Sequence, residues 1–315
     1  MDITELQTRA RRGEVLARYT TARIGGPAEL LIETRTVDEL IAVVHRADEL
    51  RLPYLVLGGG ANILVSDLGV RGLVIINKAK EMKFSVRGVQ ARVEVDAGVG
   101  LITLARDCIE RGYAGMEWAI SVPGTIGGAI VGNAGAHGAD IASNLYMAKI
   151  IRRGYAPEYW TNRQLQFGYR RSALKQYAQA DRPVVLSAIF DLKIDYRANL
   201  EKRANDFVAR RKASQPPGAT IGSMFKNPDG DFAGRLIEAC DLKGRTIGNA
   251  QISPQHANFF INLGNATARD VKALIDLAHA EVLAKFGVDL QLEVELVGEW
   301  GGEERLEIGD LRFGH

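Results

Sequence analysis

The chain has 315 residues, 46% hydrophobic and 25% charged, and its 40 Lys and Arg nearly balance 38 Asp and Glu, for a net charge of +2. Such a length holds two or three packed units, and the balanced charge removes the electrostatic case for a nucleic-acid or anionic-membrane partner. Neither the 2 cysteines, Cys108 and Cys240, nor the 5 histidines fall at ligand spacing, so no disulfide framework and no catalytic metal are expected.

Residues 1–20 read as a charged helical lead-in without an apolar signal core. No later run reaches the ~18–20 apolar residues of a membrane span, so a cytoplasmic protein is expected. Thr21-Ala22-Arg23-Ile24-Gly25-Gly26-Pro27-Ala28 leads into a strand over 29–33; Arg23 beside the glycine pair suits a phosphate or carboxylate contact, or equally a solvated turn. Thr36 with Glu39 forms a capping box, and Val37, Leu40, Ile41, Val44 and Ala47 follow at helical spacing. A strand over 54–57 then ends at Gly58-Gly59-Gly60-Ala61-Asn62, which completes the order of a βαβ unit. Strands follow at 73–76 and 91–97. A helix over 101–111 places Cys108 on its apolar face as a core thiol and stops at Gly112.

The stretch 121–138, SVPGTIGGAIVGNAGAHG, packs Gly124, Gly127, Gly128, Gly132, Gly135 and Gly138 among small residues. Glycine costs backbone entropy, so this density points to a loop whose backbone approaches something closely, such as a diphosphate held by converging N–H groups. For one isolated glycine pair, simple packing of two elements would be the better account. The second cluster at 58–60, placed where a strand ends, favours a nucleotide cofactor. The loop follows a helix and contains neither G-x-G-x-x-G nor G-x-x-x-x-G-K-[ST], which disfavours a standard dinucleotide fold and a P-loop.

Residues 147–194 read as mixed strand and loop around Phe167-Gly168-Tyr169-Arg170-Arg171-Ser172. A charged helix over 200–212 is stopped by Pro216-Pro217-Gly218, a domain boundary. Beyond it come Gly222-Ser223-Met224-Phe225-Lys226-Asn227-Pro228, a short helix over 233–239 and a strand over 258–263. A long helix then starts at the N-cap Thr267, aligns Val271, Leu274, Ile275, Ala278, Val282 and Phe286, and ends at Gly287. A strand over 290–297 and a charged tail over 301–315 close the chain.

The strings TARIGGPA (21–28), LGGGANILVSD (57–67), SVPGTIGGAIVGNAGAHG (121–138), FGYRRS (167–172), GSMFKNP (222–228) and LEVEL (292–296) occur in this order. Together they resemble the UDP-N-acetylenolpyruvoylglucosamine reductase (MurB) family of flavoenzymes in peptidoglycan precursor synthesis. The resemblance implies an α+β chain: an FAD-binding fold of the vanillyl-alcohol-oxidase (PCMH) type in two subdomains, 1–80 and 81–213, and an α+β substrate domain, 214–300. It also implies non-covalent FAD, NADPH as hydride donor, UDP-N-acetylglucosamine enolpyruvate as substrate and a monomer. The FAD-binding residues carried over are Ile24, Gly25, Gly58, Gly59, Gly60, Ala61, Asn62, Ser121, Val122, Pro123, Gly124, Thr125, Gly127, Gly128, Gly132, Asn133, Ala134 and Gly135. Two departures stand out. The span from Gly168 to Ser223 leaves little room for the inserted substrate-binding tyrosine loop of some members, and Ala61 replaces a serine common in relatives, removing one hydroxyl from the diphosphate.

Hydride arriving at the β-carbon of an enolpyruvyl ether makes an enolate, so the site needs charge stabilisation at the carboxylate and a proton for the α-carbon. The resemblance assigns the first to Arg170, whose guanidinium can clasp a carboxylate, although FGYRRS alone reads first as a solvated basic loop. It assigns a second stabilising group to Glu295, for which a burial-raised pKa is expected. Glu293 and Glu295 lie two apart on a presumed strand and share a face. The resemblance makes Ser223 the proton donor, with Lys226 as a neighbour, although alone it reads as a turn or N-cap residue; it has Tyr169, Lys226 and Asn227 contact substrate, where the alternatives are a tyrosine packed under the loop and a solvated turn before Pro228. Gln251 and His256 either line the substrate domain or are satisfied by backbone, and Trp118 belongs to the core. One flavin site serving nicotinamide and then substrate predicts ping-pong kinetics. Rival accounts are an oxidase on the same fold and a non-catalytic UDP-sugar or flavin binder.

Overall fold

The computed structural model describes residues 3–301, so the tail expected over 301–315 lies, but for Gly301, outside the described residues. The strand Val70–Asn77 is buried from Gly72 onwards, a continuous run suited to burial on both faces. It sits at the centre of a sheet ordered Arg11–Val15, Pro27–Thr34, Val70–Asn77, Tyr54–Leu57, in which the last two pairings are parallel. The predicted βαβ unit is present, with the helix Val37–Glu49 crossing from Pro27–Thr34 to Tyr54–Leu57 and Val70–Asn77 inserted between those strands. Leu40, Val43, Val44 and Ala47 of this helix share a core with Ile32, Leu73 and Ile75, and with Ile151, Val184 and Leu186 of the next sheet.

Two local expectations are corrected. The lead-in is helical only over Ile3–Arg9; Arg11–Val15 is a strand held against Pro27–Thr34. The Thr36 hydroxyl accepts from Glu39 N–H (3.1 Å), but the Glu39 carboxylate reaches Arg35 N–H (2.6 Å), one residue before the donor a capping box would use.

A second sheet runs Glu158–Thr161, Leu145–Ile151, Val184–Ile194, Gln90–Asp96, Met82–Arg87, entirely antiparallel. The helix Leu101–Glu110 packs on it, with Gly112 at φ +74° after its end. Cys108 is in that core, where burial pushes its thiol to about 12, far above the range of a nucleophile. Trp118 lies in the same core. The glycine stretch is not loop throughout: Ile126–Gly132 is a short helix with Ile126, Ala129 and Ile130 buried. Burial of that stripe overrides the poor helix propensity of its glycines.

The third unit is an antiparallel sheet ordered Ala219–Ser223, Phe259–Asn262, Ala250–Ile252, Thr246–Ile247, covered by the helix Ala268–Phe286. Thr267 and Asp270 form a reciprocal capping box, Gly287 closes the helix at φ +66°, and Val271, Leu274, Ile275, Ala278 and Val282 are buried. Phe286, at the end of the same face, is not buried with the others: it is 37% exposed and lies beside Arg235 and Lys285. Thr267→Ala is expected to cost about 1 kcal/mol, read as a lower denaturation midpoint with flavin content unchanged, because Asp67 still accepts from Ala268 and Arg269 N–H (2.8 and 2.9 Å).

The strand expected over 290–297 is also corrected. Only Glu295–Val297 is strand, and it pairs in parallel with Ile63–Val65 of the first unit. Ala22, Ile24 and Leu64 of the first unit are buried in the core of the third. No described helix is long and apolar enough to cross a membrane.

Candidate active site

The two glycine clusters meet face to face. A Cβ on Gly58 would lie 2.0 Å from Thr125 Oγ1, one on Gly59 3.1 Å from Gly124 Cα, and one on Gly60 2.1 Å from the Tyr19 carbonyl. Gly60 also needs φ +57°, and its carbonyl accepts from Thr21 N–H (3.1 Å). Glycine is thus required here for backbone-to-backbone approach. Between these loops lies a cleft of about 440 Å³ whose walls carry Arg18, Lys78 and Lys80, the hydroxyls of Thr21, Thr103 and Thr125, and no carboxylate. Gly124 is open towards it, its nearest Cβ neighbour being Ala61 Cβ at 3.6 Å. Ser121 Oγ is buried without a protein partner. Lysine and arginine in the walls and bare glycine backbone fit a bound dinucleotide diphosphate such as that of FAD.

Not every residue assigned to FAD offers its side chain to that cleft. Ile24 is buried in the core of the third unit. Asn133, 2% exposed, donates to Asp140 (2.9 Å) and to the Gly168 carbonyl (3.0 Å) and accepts from Ala142 N–H (3.1 Å), so its amide is spent on scaffolding. The Asn62 amide donates to the Glu293 carbonyl (2.9 Å). A Cβ on Gly127 would lie 3.1 Å from Ala97 Cβ and one on Gly135 2.7 Å from the Ala139 carbonyl, so both serve close packing. Gly132 does not line the cleft; a Cβ there would lie 4.0 Å from Lys175 Nζ. Val122 and Ala134 pack against the second core.

The far end of the glycine stretch borders a charged cluster. Gly168 and Arg171 exchange backbone hydrogen bonds (3.0 and 3.1 Å), and the turn holds Arg170 at φ +52°. Arg170 Nε donates to Glu293 (2.6 Å) and Nη2 to the Gly135 carbonyl (2.9 Å). Glu295 accepts instead from Arg182 (2.7 Å) and pairs with Lys175 (3.2 Å). A cavity of about 310 Å³ is lined by Lys175, Gln179, Arg182 and residues 292–296.

The two carboxyls therefore titrate apart. Burial pushes Glu293 above its usual value despite Arg170, Lys175 and Lys226. Burial acts on Glu295 too, but Arg182 and Lys175 together outweigh it and hold the carboxyl below the ordinary range. The raised pKa expected at Glu295 is thus found at Glu293, because two close cations face the first and one guanidinium the second. Lys175 and Arg182 were not singled out from the sequence; the one available signal was a lysine a single turn beyond Ser172, in the short helix Ala173–Gln176.

Ser223 ends the strand Ala219–Ser223 opposite Phe259, and the next carbonyl, Met224, accepts from Glu293 N–H (2.9 Å). That bond seats Ser223 beside the segment carrying both carboxylates. Tyr169 Oη accepts from Asn227 N–H (3.5 Å), while Asn227 Oδ1 accepts from Ala233 N–H (3.1 Å) at the start of the helix Ala233–Ala239. Lys226 is near enough to Glu293 to act on it electrostatically. His256 Nδ1 accepts from Asn258 N–H (3.2 Å), and Gln251 donates to the Gly244 carbonyl (3.3 Å), so both are engaged by backbone.

A glycine-walled cleft that fits a dinucleotide diphosphate, in a chain that also brings together paired carboxylates and guanidinium groups, fits a flavin-dependent oxidoreductase. An FAD-binding domain model matches residues 28–152, and the model of the UDP-N-acetylenolpyruvoylglucosamine reductase C-terminal domain matches residues 212–297. The UDP-N-acetylenolpyruvoylglucosamine reductase of Chloroflexus aurantiacus is 43% identical over 285 residues, covering 90% of this chain and 96% of that one. Reductase 2 of Symbiobacterium thermophilum is 43% identical over 93% of this chain and 92% of its own. The crystal structure of the Thermus caldophilus reductase superposes with a TM-score of 0.78 at 35% identity, over 92% of this chain and 99% of the other. The chain belongs to the UDP-N-acetylenolpyruvoylglucosamine reductase (MurB) family.

Proposed function

We infer that this chain reduces UDP-N-acetylglucosamine enolpyruvate to UDP-N-acetylmuramate, with FAD as its bound redox group and NADPH as hydride donor, and that it acts as a cytoplasmic monomer in peptidoglycan precursor synthesis. The observation that carries this is the meeting of Arg170, Lys175, Arg182, Glu293 and Glu295 at the downstream end of the glycine stretch. Counting Lys226, four cations face two carboxylates, an excess suited to a substrate with a carboxylate and a diphosphate. Bound FAD supplies the capacity to accept hydride from the nicotinamide and pass it to the enolpyruvyl β-carbon.

The protein's own groups do the rest. Arg170 keeps its Nη1 edge free of protein acceptors among the described residues, and so can clasp the substrate carboxylate while Nε holds Glu293. Glu295, held anionic by Arg182 and Lys175, is not the proton source in the resting enzyme. Its ion pairs fix those two cations where the enolate charge develops. The proton for the α-carbon comes from the Ser223 hydroxyl and is replaced from solvent. Tyr169, Lys226 and Asn227 contact the nucleotide sugar. The working units are 1–80 and 81–213 around the flavin and 214–300 over the substrate.

The decisive experiment is anaerobic: the yellow protein is bleached with NADPH and then mixed with UDP-N-acetylglucosamine enolpyruvate. Return of the oxidised spectrum is the expected result, and a flavin that stays bleached until air enters would exclude this substrate. Glu293→Gln tests the grip on Arg170. A hydrogen bond to a charged partner is worth about 1.5–3 kcal/mol, so KM for the enolpyruvyl substrate is expected to rise roughly 10- to 100-fold, with flavin reduction by NADPH unchanged. A fall in kcat at constant KM would instead place Glu293 in the chemistry.

A further inference from the structure

The six residues Asn62–Asp67, which start at the last residue of the glycine loop, are bonded along their whole length to the C-terminal unit. Asn62 contributes twice: its carbonyl accepts from Glu295 N–H (3.0 Å) and its side-chain amide donates to the Glu293 carbonyl (2.9 Å). Ile63–Val65 pairs with Glu295–Val297, and Leu64 is fully buried in the third core. Ser66 N–H donates to the Val297 carbonyl (2.9 Å), its hydroxyl bonds the Glu299 carbonyl, and Asp67 accepts from two N–H groups at the start of the helix Ala268–Phe286.

Within this strap Asn62 is distinct. It grips the chain on both sides of Val294, so it fixes the torsions that decide which way the next side chain, Glu295, projects. In extended chain a change of half a turn there sends a side chain to the opposite face. Asn62 is also two residues from Gly60, in the loop whose backbone walls the diphosphate cleft. We propose that Asn62 is a positioning residue for reduction of the substrate: from the flavin loop its carboxamide sets the direction of Glu295, and it acts on transfer to the enolpyruvyl group and not on flavin binding. This rests on the role given above to Glu295.

Loss of the amide leaves the strand pairing and the Glu295 N–H bond intact, so the segment stays folded while Glu295 loosens. Displacement of a catalytic group by about 1 Å costs on the order of 10²-fold. The test uses the FAD-loaded enzyme in rapid mixing and measures separately flavin reduction by NADPH and reoxidation by substrate. Asn62→Leu keeps the side-chain branching and removes the donor. FAD content and reduction rate are expected to stay within about twofold of the parent, with reoxidation slowed on the order of 10²-fold. Adding Glu295→Gln is expected to slow reoxidation no further than Glu295→Gln alone, because the amide acts through that carboxylate. Asn62→Asp, closer still in shape, is expected to show the same asymmetry if the leucine variant does not fold.

Loss of FAD, or equal slowing of both half-reactions, would make Asn62 a flavin ligand and overturn the proposal. Multiplying losses in the double variant would show that Asn62 acts independently of Glu295, which overturns the proposal and leaves the account of the site standing. A Glu295→Gln enzyme reoxidised at the parent rate would remove both.

Discussion

Ser223→Ala is expected to yield a protein that holds FAD and is bleached by NADPH at the parent rate, yet is reoxidised by the enolpyruvyl substrate roughly 10²- to 10⁴-fold more slowly, the range for loss of a positioned general acid. The asymmetry follows from where the residue sits. Its backbone belongs to the strand that pairs with Phe259, and the neighbouring Met224 carbonyl carries the bond to Glu293, so neither depends on the hydroxyl. Removing one oxygen therefore leaves the cluster assembled and takes away only the proton. Glu295 cannot substitute, since Arg182 and Lys175 keep it ionised. Rapid mixing with each substrate in turn gives both rates. Reoxidation within twofold of the parent would assign the proton to another group, and slowing of both half-reactions would point to a disturbed flavin.

The elements most readable from the sequence are those specified by neighbours in the chain. The helix Ala268–Phe286 has its cap at Thr267, its apolar positions at helical spacing and its stop at Gly287, and all of these signals are local. The glycine density of 121–138 points to loop, whereas burial of Ile126 and Ile130 in a core drawn from strands far away makes Ile126–Gly132 a helix. Met82–Arg87 was missed for a related reason: as the sheet's edge strand it shows only Met82 and Phe84 inward among exposed residues. Residues 290–297 alternate like one strand, but the Met224 carbonyl captures Glu293 N–H and only the last three residues reach Ile63–Val65.

The same division holds in the active site. Arg170, Ser223 and Glu295 sit in motifs legible in the sequence, FGYRRS, GSMFKNP and LEVEL. Lys175, in the short helix Ala173–Gln176, and Arg182, in the connection before Val184–Ile194, have no motif of their own, and what unites them is a single carboxylate more than 100 residues away. The pKa of Glu295 was misjudged for that reason. Burial is legible in an apolar run such as LEVEL, but the cations that oppose it are not.

Gly60→Ala is expected to produce a largely flavin-free protein. The substitution meets two penalties at one position: a side chain at φ +57°, and a Cβ 2.1 Å from the Tyr19 carbonyl and 2.8 Å from Thr20 Cα. Both contacts are with backbone, so no rotamer change relieves them. Residues 19–21 must move, and they form one wall of the diphosphate cleft. Overpacking of this kind costs about 1–3 kcal/mol, and left-handed backbone for a non-glycine residue about 1–3 kcal/mol more. Even the lower part of that sum, taken from the bound state, weakens FAD binding by roughly 10- to 100-fold. The matched control is Gly88→Ala, at φ +62° in the turn between Met82–Arg87 and Gln90–Asp96, where an added Cβ meets nothing within 4 Å. It carries the same backbone strain without the collision, so it should lose a little thermal stability and keep its FAD. Flavin absorbance per protein after gel filtration, followed by titration of the apoprotein with FAD, compares the two. If both variants retained full flavin, the close approach of 58–60 to 19–21 would not govern the cleft; if both lost it, strain in the chain and not the shape of the glycine cradle would be the cause.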